Sequence, residues 1–78
     1  MELFDELKVG SQVLSREYIS SVYWDKITVT KIEGDYITFE DDDGMEIDSN
    51  RGEVNGDIYF RRVGKWYIES YLKIKTYV

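Results

Sequence analysis

Six glycines and no proline set the rhythm of this chain. The glycines fall at positions 10, 34, 44, 52, 56 and 64, and most of the intervals between them hold short runs of Ile, Val, Thr, Tyr and Phe. Runs of that composition bounded by turn-forming residues predict a small all-β domain. At 78 residues the chain has room for one domain, residues 1–78, and a domain of that size buries roughly 60–65% of its unfolded surface. Two Trp, seven Tyr and three Phe supply the large side chains that so small a core needs.

The pattern predicts the elements in order. Leu3, Phe4 and Leu7 stand at helical spacing and suggest a short N-terminal helix or turn over residues 2–8. Residues 11–15 read as a first strand, followed by a long excursion over residues 16–25. Residues 26–33 are the clearest strand, but Ile32 falls one residue out of phase with Ile27 and Val29. A bulge near Thr30 and Lys31 would absorb the slip. Gly34-Asp35 is a turn signal pairing Ile32 with Ile37. Asp42-Asp43-Gly44 predicts a three-residue loop closed by a left-handed glycine, with Phe39 opposite Ile47 and Glu40 opposite Glu46. Asn55-Gly56 predicts a further hairpin, residues 57–63 a strand, and Leu72, Ile74 and Val78 a final one.

The stretch WDKITVTKIEGDYITFEDDDGMEI, residues 24–47, resembles the central hairpins of Tudor domains. The opening LKVGSQVLS resembles the first strand of bacterial SH3-like barrels, and YIESYLKI, residues 67–74, is similar to the 3₁₀ turn and last strand of SH3 domains. The resemblance implies a single SH3-like, Tudor-like barrel of five to six antiparallel strands. In methyl-reading Tudor domains an aromatic cage holds a cation over ring faces. The turn tyrosine of that cage is replaced here by Asp43, leaving Tyr23, Trp24, Tyr36 and Phe39 as partial cage or groove residues. The acidic loop and paired tryptophans that read polyproline in SH3 domains are not evident, which argues against polyproline binding.

Composition excludes several chemistries. Without cysteine there is no disulfide framework or thiolate nucleophile, and without histidine the main zinc ligand and the commonest general base are both missing. Ser20, Ser21, Ser49 and Ser70 have no base at recognisable spacing. An EF-hand with Gly44 at its sixth position would put Phe39 and Asn50 where carboxylates belong. The expectation is a non-enzymatic domain without cofactor or metal. With no long apolar run and no basic leader, its expected place is the cytoplasm, off the membrane.

Net charge is −6, unevenly spread: residues 1–50 hold 13 acids and 4 bases, and residues 51–78 hold 3 acids and 6 bases. Glu40, Asp41, Asp42, Asp43, Glu46 and Asp48 gather on one hairpin, a docking surface for a protein with a basic face. On this reading the chain is an inhibitor or adaptor, of the kind that small acidic phage antagonists of bacterial defence exemplify. A second reading has a nucleotide or other anion held by Arg61, Arg62 and Lys65 beside Tyr59 and Trp66. A third is nucleic-acid binding by the same half, which the overall acidity disfavours. The plainer alternative is an acidic hairpin that keeps a strand edge solvated and arginines that cover core rings with their stems. Partner identity and oligomeric state stay open, a homodimer through an edge strand included.

Overall fold

The computed structural model describes residues 2–63. They form a short helix α1 (Leu3–Glu6), strands β1 (Gln12–Ser15), β2 (Asp25–Glu33), β3 (Tyr36–Glu40) and β4 (Glu46–Asn50), a second short helix α2 (Arg51–Asn55) and strand β5 (Phe60–Arg62). The strands build one antiparallel sheet in the order β4-β3-β2-β1-β5. Among the described residues β4 and β5 are its two edges, and the sheet is open between them. The predicted β character therefore holds, the expected N-terminal turn appears as α1 and the helical turn α2 is added, whereas closure into a barrel is not seen among the described residues. The expected strand ending at Val78 lies outside the described residues, as do Lys65 and Trp66.

The local pairings follow the side-chain pattern. The register of β2 on β3 shifts between Val29 and Lys31, which is the bulge required by the phase slip of Ile32. Thr30 sits at this irregularity and its hydroxyl donates to the Thr38 carbonyl at 3.3 Å. Ile32 pairs with Ile37 across a turn in which Gly34 takes φ +58°. On the next hairpin Phe39 faces Ile47 and Glu40 faces Glu46, as the loop length dictates.

The Asn55-Gly56 hairpin is a correction. Asn55 ends α2 and Gly56 caps it in right-handed conformation, with the positive φ taken by Asp57 at 58°. The reason lies five residues upstream. Asn50 is the N-cap: its side-chain Oδ1 accepts from the Glu53 backbone amide at 2.9 Å, and its side-chain Nδ2 donates to the Glu53 carboxylate, also at 2.9 Å. That reciprocal cap starts a helical turn before the chain reaches Asn-Gly. The strand that follows is correspondingly short. It pairs with β1, not with a hairpin neighbour, so that Leu14 meets Arg61 and Val13 meets Arg62.

One face of the sheet carries the core. Val13, Ile27, Val29, Ile37, Phe39 and Phe60 pack there against Leu3 and Phe4 of α1 and Val54 of α2, and Phe39 stacks on Phe60 at 5.2 Å between ring centres. The helices are tied to each other and to the sheet. The Asn55 side chain accepts from the Phe4 amide at 2.8 Å. Arg51 lies over the Phe4 ring at 4.3 Å and bridges Asp5 at 2.5 Å and Asp35 at 2.8 Å. Leu14 and Trp24 are buried outside this cluster. No helix among the described residues is long and apolar enough to cross a membrane.

Candidate functional site: an acidic cleft beside strand β4

The residues singled out by sequence fall into three groups, and the structure treats each differently. In the acidic hairpin, Asp41 is a structural residue. Its carboxylate accepts from the amides of Asp43 and Met45, both at 2.9 Å, and its own amide donates to the Met45 carbonyl at 3.0 Å. Gly44 donates to the Asp41 carbonyl at 3.1 Å with φ +82°, completing the tight loop. Asp42 and Asp43 are left exposed at the tip. Glu40 and Glu46 oppose each other at the last strand pair. Asp48 lies further along β4, where it accepts from the Thr38 hydroxyl at 2.9 Å.

The aromatic groove is not assembled. Trp24 is only 4% exposed, and the guanidinium groups of Arg16 and Arg61 lie over its ring at 4.6 and 4.7 Å. The cation–π attraction that a cage would offer a ligand is used inside the chain. Tyr23 and Tyr36 are 54% and 70% exposed, but Tyr36 pairs with Glu33 at the opposite end of β2 from Trp24. Nine residues of strand separate those ends by roughly 25–30 Å, too far for one groove. Phe39 is wholly buried.

The basic pair is divided as well. Neighbours on a strand point to opposite faces. Arg61 goes to Trp24 and lies 3.8 Å from Asp57, while Arg62 is bound to the Glu6 carboxylate. That hydrogen bond from Arg62 holds the Glu6 carboxyl below its ordinary range and raises Arg62 in turn. Tyr59 is half-buried against the core. Among the described residues Arg61, Arg62 and Tyr59 therefore do not converge on one anion.

What the fold does create is a cleft of about 670 Å³ on the core face of the sheet, between the β4 and β5 ends. Its floor is apolar, with Ile27, Ile47 and Phe60, and six carboxylates line it: Glu17, Asp25, Asp41, Glu46, Asp48 and Glu53. Arg16 is the base among its lining residues, and that guanidinium is turned to the Ile58 carbonyl at 2.8 Å and to Trp24. Ser49 also lines the cleft. It is 6% exposed, and its hydroxyl oxygen has no hydrogen-bond partner among the described residues.

Sequence reasoning missed Glu17, Asp25 and Glu53, which come from three separate segments that only the sheet brings together. Ser49 had a legible signal. It stands two residues beyond Ile47, on the inward phase of β4, where a polar side chain calls for a partner. The loop before β2, for which the sequence pattern indicates only an excursion, also exposes Tyr18, Ile19 and Val22.

No protein-family model matches the chain, and no curated protein or solved structure matches it.

Proposed function

We propose that this chain is a non-enzymatic protein-binding domain that docks a basic partner surface on its acidic hairpin and the cleft behind it, acting as an inhibitor or adaptor. The observation that carries this reading is the gathering of six carboxylates around one cleft whose lining base is committed elsewhere. Glu40 and Glu46, set opposite one another, repel across the hairpin. A cationic surface laid over them removes that repulsion, steers association and makes it salt-sensitive. The anion-binding alternative has less support, since Arg61 and Arg62 are each engaged within the chain.

The finer fold reading belongs here too. The meander β1 to β4, with β5 returning beside β1 after a short helix, suits the described part of an SH3-like, Tudor-like barrel.

The test uses charge reversal at residues that hold no turn together, Asp42→Lys with Asp43→Lys. Asp41 is left intact because its carboxylate carries the loop. The tagged chain and the double variant are compared in capture of protein from the native host at low and high salt. A stoichiometric protein retained by the wild type at low salt, released at high salt and lost from a folded double variant is the expected result. Capture unaffected by both salt and charge reversal would reject the reading.

A further inference from the structure

The acidic cleft has one feature that charge alone does not explain. Ser49 lines it from the core face of β4, more than nine-tenths buried, with a hydroxyl that no described residue satisfies. A buried polar group without a partner is costly and uncommon. Every residue from Met45 to Ser49 lines the cleft, the inward-facing Ile47 and Ser49 together with the outward-facing Glu46 and Asp48. The cleft therefore follows the edge of β4, where the described sheet ends.

We propose that the cleft receives a lysine or arginine side chain from an extended basic segment of a protein partner, laid along the edge of β4. An extended segment on a sheet edge can pair its backbone with the strand while alternate side chains enter pockets. The alkyl stem lies on Ile27, Ile47 and Phe60, as the stems of long basic side chains do on apolar surfaces. The cationic head donates to the Ser49 hydroxyl on the core face, beside the carboxylates that α2 and the loop after β1 add to the lining, Glu53 and Glu17. Lysine and arginine share this chemistry of a donor head on an apolar stem. The inference rests on the acidic docking reading above and specifies which partner group enters and where.

The experiment titrates three blocked peptides into the isotope-labelled full chain and follows its amide NMR spectrum. One peptide alternates lysine with threonine, the second has arginine for lysine, and the third has norleucine. The cationic peptides are expected to shift Ile47, Ser49, Ile27 and Phe60 in a saturable way, while norleucine does not bind. Ser49→Ala, which removes only the unpartnered hydroxyl, is expected to weaken cationic-peptide binding about tenfold, the scale of one hydrogen bond to a charged group. Whichever cation binds more tightly identifies the head group and supports the inference. Shifts confined to Asp42 and Asp43, or a Ser49→Ala chain that binds as the wild type does, would overturn the cleft and leave the docking reading standing. No binding by either cationic peptide would overturn both.

Discussion

Single side chains in this protein are asked to do two kinds of work, and Ser49 and Asp41 mark the extremes. Asp41 satisfies two loop amides with one carboxylate oxygen, so an acid that reads in sequence as part of a charged surface is a turn residue. Ser49 satisfies nothing among the described residues and lies buried on the core face. Replacing it with alanine removes an orphaned hydroxyl without opening a cavity, so Ser49→Ala is expected to raise stability by about 1 kcal/mol, measured by urea unfolding. A stability gain combined with a binding loss separates a functional hydroxyl from a structural one. Glu6 makes the stability pH-dependent in a definite direction. Its carboxyl is lowered below 4.5 first by the hydrogen bond from Arg62. Stabilisation from this pair is therefore complete above the ordinary carboxylate range and is lost as pH falls through the lowered folded value. Glu6→Gln should make the acid side of the stability profile shallower and leave its slope near neutrality unchanged, as unfolding midpoints across a pH series would read.

Among the elements, the hairpins of β2, β3 and β4 and the helix α2 show two ways in which a short segment is determined. The β3–β4 hairpin agrees with its sequence at every position because the loop length, the left-handed glycine and the alternation of Phe39 and Ile47 all select one register. The bulge in β2 is legible for the same reason: Ile27, Val29 and Ile32 cannot share a face without it. α2 went the other way. Its Asn-Gly signal was overridden by a cap upstream, and the decisive residue is Asn50. Asn50→Ala should cost about 1 kcal/mol, seen as a lower urea midpoint at unchanged m-value. The loss should extend to the contact between helices, since Asn55 at the end of α2 holds the Phe4 amide.

At the scale of the molecule, the core among the described residues is one layer of side chains under a five-stranded sheet, packed against two helical turns. A core this small has little reserve. Phe39 is wholly buried at its centre and stacks on Phe60, and Phe39→Ala should cost about 3–5 kcal/mol. That is a large share of the stability a small domain commands, so the variant is expected to be largely unfolded by circular dichroism at room temperature. The same scale sets the electrostatics. The acids on the cleft come from the loop after β1, from β2, from the hairpin and from α2, and only the return of the chain around the sheet brings them to one place.

Sequence alone determined the strands around Gly34 and Gly44, their registers, the bulge and the inward identity of Ile37 and Phe39. These depend on side-chain period and turn geometry, which act over a few neighbouring residues. Tertiary structure decided the rest. It placed β5 beside β1, sent Arg61 and Arg62 to different partners, enclosed Trp24 under two guanidinium groups and set Ser49 on an acidic cleft. Each of those outcomes depends on groups far apart in the chain meeting in space, as Glu6 meets Arg62 across 56 residues and Arg16 meets the Ile58 carbonyl across 42. No local period encodes such meetings, because they are selected by the burial and pairing of the folded sheet as a whole.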